Sequence, residues 1–174
     1  MTASRSYITL ITVLVLSLGT IILAWGFQLI GGYLPCALCY QQRWPYYATI
    51  LIALALVAMA RGANQAVILR WGLLLLAVIM AVSVGLGVHH AGVEWGWWAG
   101  PTSCAGGAGF ADPNSVLPDL TRGRVVSCTE AQWRLFGISF AGYNALISLV
   151  IAAIALCGAL LSRAPDQGSN SVSQ

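Results

Sequence analysis

The chain of 174 residues contains no lysine, and only 7% of its residues are charged. A soluble domain carries about a quarter charged residues, so water is excluded as the main solvent of this chain. Its formal charge of +3 comes from eight arginines against five acids. That charge is too small and scattered for a nucleic-acid surface, and no nucleic-acid partner is expected. Intrinsic disorder requires low hydrophobicity; with 59% hydrophobic residues, only the polar tail qualifies. Mid-membrane charges and paired broken-helix signatures are also lacking, which argues against transport.

Long apolar runs are what the chain has instead. A helix crossing a hydrocarbon core of roughly 30 Å needs about 20 apolar residues. Four runs qualify: Tyr7–Ile30, Trp44–Ala60, Ala66–Val88 and Ile138–Leu161, with Arg70 the only charge, near the start of the third. Backbone groups in lipid must bond internally, so these runs are helices. The expected fold is an all-α membrane protein, a four-helix transmembrane bundle over residues 1–163 with two extracytoplasmic loops. The Ser/Asn/Gln-rich segment 164–174 reads as a disordered tail. The first run follows Arg5 as a signal peptide would, but it is too long and lacks a small-x-small cleavage site. It is read as a retained helix.

An even number of spans puts both termini on one side and the Gly31–Arg43 and His89–Gly137 loops on the other. Arg5, Arg61, Arg70 and Arg163 fall on the terminal side, against Arg43, Arg122, Arg124 and Arg134. The terminal-side arginines lie in much shorter segments, including the Arg61–Gln65 turn, which favours cytoplasmic termini. Ala105–Asp119 is Gly/Pro-rich loop, with room for a short interfacial turn around Val116–Leu120. Trp44, Trp95, Trp97, Trp98 and Trp133 fall where spans meet loops, as in an interfacial aromatic belt.

Four of the five cysteines lie in these two loops. Cys36 and Cys39 form a Cys-x-x-Cys pair, which closes and reopens a small disulfide by intramolecular thiolate attack. If the second helix starts near Pro35, both sulfurs sit at its positive end, where a thiolate is stabilised. Cys36, Cys39 and Arg43 then share one face. If it starts at Trp44–Pro45, the cysteines lie in an irregular approach, and both registers are open because Pro45 would kink the longer helix. A structural zinc site needs four ligands, usually two tight pairs. Only one tight pair exists, so no metal is expected. A disulfide closing so small a loop adds little stability, which favours redox work over a staple. Cys104 and Cys128 form the second set; four cysteines permit three pairings, and neighbour pairing leaves two disulfides able to exchange. Cys157, inside an apolar run, reads as a small hydrophobe. A lipid-embedded dithiol handing on two electrons needs an acceptor soluble in lipid. A quinone fits, with Arg43 and His89 or His90 as nearby donors.

The segments Pro35–Arg43, His90–Cys104 and Ser127–Asn144, in this order and spacing, resemble the disulfide bond formation protein B (DsbB) family over nearly the whole chain. The resemblance implies a bacterial inner-membrane enzyme that reoxidises a periplasmic DsbA-like thiol oxidase and passes the electrons to a membrane quinone, ubiquinone before menaquinone. By position, it implies that Cys104 is attacked by the partner and that Cys128 is its disulfide mate. Cys36 and Cys39 would then receive the electrons, with Cys39 as the thiolate facing the quinone. Arg43 and His90 would bind the quinone, His90 being preferred to His89 by its distance to Cys104. Gln42 stands where some members carry an acid. Because DsbA is a strong oxidant, near about −120 mV, only a high-potential acceptor could reoxidise it. The rival readings are a sibling enzyme with a dedicated partner, a vitamin K epoxide reductase-like protein, and a non-enzymatic four-helix scaffold with stapled loops. The second usually places its Cys-x-x-Cys on a later helix.

Overall fold

Helix formation follows the apolar runs but does not stop where they do. The computed structural model describes residues 2–59, 65–100 and 127–162. These form helices α1 (Thr2–Leu29), α2 (Ala37–Met59), α3 (Gln65–Glu94) and α4 (Phe140–Leu161). A short antiparallel hairpin, β1 (Arg134–Leu135) and β2 (Ile138–Ser139), precedes α4. Three of the helices contain segments long and apolar enough to cross a membrane: Ser4–Leu29, Gln65–Glu94 and Phe140–Leu161. Helix α2 is different because Gln41, Gln42 and Arg43 occupy its first turns and shorten its apolar run. The tail 164–174, the Arg61–Asn64 part of the turn and the Val116–Leu120 segment lie outside the described residues.

Two helix boundaries differ from those read off hydropathy. Helix α2 begins at Ala37, well before Trp44, and carries Pro45 inside it. Helix α3 continues past Val88 through both histidines to Glu94. Its end has a local cause: Gly96 takes φ 72°, its N–H bonds the Val93 carbonyl, and Trp97 N–H bonds the Gly92 carbonyl. Those two bonds are a Schellman C-cap, which satisfies carbonyls that a helix end otherwise leaves open. His89 and His90 are therefore helical, where a loop was expected. The hairpin was not expected either; Phe136 (φ 50°) and Gly137 (φ 81°) give it the double positive-φ turn that matches strand twist.

The helices meet along a core that includes Leu10, Val13, Ala53, Leu73, Met80 and Ile151. Small residues bring backbones close. A Cβ on Gly87 would lie 2.9 Å from the Ala145 backbone nitrogen, and one on Gly158 would lie 2.5 Å from Thr9 Cγ2. Such small-residue contacts drive helix association where lipid removes the hydrophobic force. Three polar side chains inside pair with one another: Tyr46 Oη and Ser148 Oγ are 2.8 Å apart, and Ser148 Oγ donates to Ser83 Oγ at 2.8 Å. Ile8, Ile22, Leu51, Val78 and Leu149 point outward and are exposed. An apolar exterior this broad suits contact with lipid.

Candidate functional site

The site forms where the start of α2 meets the end of α3. Cys36 immediately precedes α2, and its carbonyl accepts the first helical bond, from Tyr40 N–H at 3.1 Å. Its sulfur accepts from Cys39 N–H at 3.3 Å. Cys36 thus takes the N-cap position, with sulfur in the place of the usual capping oxygen. This settles the register left open by the sequence: both cysteines lie at the positive end of the helix, and Pro45 is accommodated further along.

Cys36 Sγ lies 2.9 Å from Cys39 Sγ and 3.6 Å from His90 Nε2. Gln42 Nε2 lies 2.6 Å from His90 Nδ1. An amide N–H can only donate, so in this orientation Nδ1 accepts and Nε2 carries the proton that faces Cys36. The hydrogen bond from the Cys39 thiol holds Cys36 well below the ordinary thiol value of 9.0, at about 4. Burial opposes the shift, while His90 and the Cys39 backbone assist it. Cys39 is pushed upward, first by its hydrogen bond to Cys36, then by burial and by the nearby Cys36 charge. The pair therefore holds one proton, on Cys39, and one negative charge, on Cys36.

A mainly apolar cavity of about 330 Å³ opens beside this pair and is lined by Cys36, Cys39, Arg43, His90 and Asn144, among others. Arg43 faces α1. It donates to Gln28 Oε1 at 2.8 Å and to the Ala24 carbonyl at 3.5 Å, and its guanidinium stacks over Trp25 and Tyr40. His89 points elsewhere, stacked on Trp98, while its carbonyl accepts from Trp98 Nε1 at 2.8 Å. Of the two histidines, His90 is the one at the cysteines.

The second loop reaches the same place. Cys128 is disulfide-bonded and nearly inaccessible, in one buried cluster with Cys36, Leu38 and Val93. Gln132 Nε2 donates to the Leu34 carbonyl at 2.7 Å, tying the segment to the first loop. Trp133 stacks on Phe140, which also contacts Phe27 and Tyr33. Cys104 lies outside the described residues. Cys157 is an exposed free thiol on α4, remote in sequence from the other cysteines.

Two residues at the site went unread in the sequence. Glu94 lies one turn beyond His90, with Oε1 3.8 Å from His90 Nε2 and its side chain only 5% exposed; its Oε2 has no hydrogen-bond partner. Asn144 lines the cavity, and its Nδ2 is likewise buried without a partner. The available signal for Glu94 was its place four residues after a histidine, in a chain with five acids. Asn144 had only its position inside an apolar helix. Buried orphan polar atoms are rare in folded proteins, and these two flank a cavity able to admit a ligand with carbonyl oxygens.

Comparison with known proteins agrees with this chemistry. The sequence is 26% identical over 147 residues to an uncharacterized protein of Rickettsia prowazekii (strain Madrid E), covering 83% of this chain and 80% of that one. No solved structure matches. The family profile described as disulfide bond formation protein DsbB matches residues 5–158. The chain belongs to the DsbB family, whose members are membrane oxidoreductases of disulfide-bond formation.

Proposed function

We propose that this protein is a protein-dithiol:quinone oxidoreductase of the bacterial inner membrane. It reoxidises a periplasmic DsbA-like thiol oxidase and thereby sustains disulfide formation in secreted proteins. In this reading α2 crosses the bilayer from about Trp44 as the fourth span, both termini are cytoplasmic, and both cysteine loops face the periplasm. The carrying observation is that disulfide-bonded Cys128 shares one buried cluster with Cys36, beside a cavity lined by Cys39, Arg43 and His90.

The residues fit a quinone. Asn144 Nδ2 is an unpaired donor on the cavity wall, and His90 and Arg43 add N–H groups on the same lining. When bound, a quinone supplies the two-electron, two-proton acceptor; ubiquinone is preferred, with menaquinone second.

The chain's own steps balance. A partner thiolate attacks Cys104 of a Cys104–Cys128 disulfide and releases Cys128 as a thiolate. Resolution of that mixed disulfide leaves the partner oxidised. Cys128 attacks Cys36 of a Cys36–Cys39 disulfide, and Cys39 leaves as a thiolate. In that state Cys36 carries no charge and no hydrogen-bonding thiolate, so the largest cause raising Cys39 is gone, while burial still opposes its charge. Cys39 then keeps its negative charge at the helix N-terminus. Return of Cys104 and Cys128 to a disulfide leaves the Cys36/Cys39 pair reduced, and its two electrons go to the acceptor. His90, held by Gln42, directs an N–H at Cys36, the sulfur released when Cys104 and Cys128 rejoin.

The test is anaerobic titration of purified protein with reduced DsbA-like partner and a short-chain ubiquinone, following quinone absorbance. Cys39→Ser is expected to abolish quinone reduction. Unchanged turnover in that variant would sink the assignment.

A further inference from the structure

Three donor atoms converge at the reduced cysteine pair, and a fourth stands beside them on α3. Cys36 Sγ, Cys39 Sγ and a ring nitrogen of His90 all lie within 4.8 Å of one another. The Glu94 carboxylate joins them through Oε1, 3.8 Å from His90 Nε2, and its Oε2 is buried without any partner. The side chains of His90 and Glu94 are only 4% and 5% exposed.

The geometry points to a Cys₂HisGlu site that captures a thiophilic divalent cation, with Zn²⁺ as the physiological candidate, whenever the Cys36/Cys39 pair is reduced. The site rests on these four side chains and does not depend on which electron acceptor the enzyme uses. Tetrahedral zinc with bonds of about 2.3 Å to sulfur and 2.0–2.2 Å to nitrogen or oxygen sets ligand atoms roughly 3.4–3.8 Å apart. The Cys36 Sγ to His90 Nε2 separation of 3.6 Å already meets that requirement, and the Nε2 to Glu94 Oε1 separation of 3.8 Å is a few tenths of an ångström longer than a nitrogen–oxygen pair needs. The two sulfurs, 2.9 Å apart, must separate by roughly 0.9 Å to reach a zinc-bridged spacing, and the Glu94 carboxylate must swing from His90 toward the sulfurs. Cys39 lies on the first turn of α2, and a small χ1 change moves its sulfur outward.

Gln42 suits both states of the ring. As placed, its amide nitrogen meets Nδ1. Turned over, its amide oxygen accepts Nδ1–H and leaves the Nε2 lone pair for a metal, the arrangement usual for zinc-bound histidine. Charge also favours a cation: the Cys36 thiolate and the Glu94 carboxylate flank the position, and the Arg43 guanidinium is turned away toward α1. On binding, M²⁺ takes both sulfurs as thiolates, and any thiol proton goes to solvent; no electron moves. The pair when oxidised to a disulfide has no thiolate to offer, so capture is confined to the reduced protein and holds it there. This differs from the structural zinc site that the cysteine spacing argued against, because the third and fourth ligands come from α3.

The experiment uses the full chain in detergent, reduced with dithiothreitol, desalted without oxygen and titrated with Co²⁺ and then Zn²⁺. Cys104→Ser/Cys128→Ser protein removes the other loop thiols, and wild-type protein run beside it guards against misfolding of that double variant. One equivalent of Co²⁺ is expected to give tetrahedral d–d bands with thiolate-to-cobalt charge transfer, displaced by Zn²⁺. Glu94→Gln and His90→Gln are each expected to weaken binding by at least about tenfold. Protein oxidised at Cys36–Cys39 is expected to bind none. Stoichiometric binding that is unchanged in both α3 variants, or equal in oxidised protein, or absent from reduced wild type, overturns the inference. No partner or quinone is present, so this result stands apart from the quinone-reduction assay.

Discussion

The middle of the helix bundle and its rim at the cysteines treat polar atoms in opposite ways. In the middle, Tyr46, Ser148 and Ser83 form a closed chain across three helices, and Thr49 Oγ1 donates to Met80 Sδ. At the rim, Glu94 Oε2 and Asn144 Nδ2 are buried without partners. Ser17 Oγ on α1 is the only other such atom among the described side chains. Orphaned polar groups disfavour a fold by about 1–3 kcal/mol each. Two of them flanking one cavity, beside a thiolate and a proton-bearing imidazole, mark that end as built for a ligand. The middle holds the helices together, and the rim holds charge in readiness.

The sharpest break between the regions lies in sulfur reactivity. Cys36, held at about 4, is a thiolate at every pH well above that value. Its alkylation in the reduced protein should stay nearly flat from about pH 6 to 8 and fall as the pH drops through about 4. An ordinary thiol would instead gain about tenfold per pH unit over that range. Peptide mapping after pulsed alkylation measures this, and a profile for Cys36 that climbs tenfold per unit would remove the account in which the Cys39 thiol holds its charge.

Stability should respond in the middle and hardly at all at the rim. Gly87→Leu forces a side chain into the Ala145 backbone, and a loss of about 2 kcal/mol is expected in detergent unfolding. Asn144→Leu should do the reverse. It removes an unpaired donor, so stability should hold or rise, while equilibrium binding of a quinone analogue weakens about tenfold, close to one hydrogen bond. If Asn144→Leu leaves that affinity intact, the donor belongs to the fold and not to the ligand. The smallest effect is expected from Ser83→Ala, which takes the acceptor from Ser148. A loss of about 1 kcal/mol with unaltered quinone-analogue binding would keep the two regions distinct.

The apolar runs announced their helices because lipid-facing segments need every residue apolar and every backbone group bonded internally. Their ends were less legible. Hydropathy fades at His89, yet α3 continues to Glu94 because the Gly96 cap, not polarity, terminates it. Helix α2 begins at Ala37 although Pro45 follows, since one missing backbone bond is tolerated inside a packed helix. Gly96 in the sequence is a readable stop signal; the sulfur cap at Cys36 is not, because cysteine is an unusual N-cap residue.

By itself the sequence determined the helical membrane class, the close spacing of Cys36 and Cys39, and the family, because lipid and thiol chemistry each demand particular residues in local patterns. The choice of His90 over His89, the turn of Arg43 toward Gln28, and the company of Glu94 and Asn144 came only with the tertiary structure. Cys36 and His90 are 54 positions apart, and which face of α3 meets the start of α2 is decided only when the helices pack. No local pattern in the chain records that rotation.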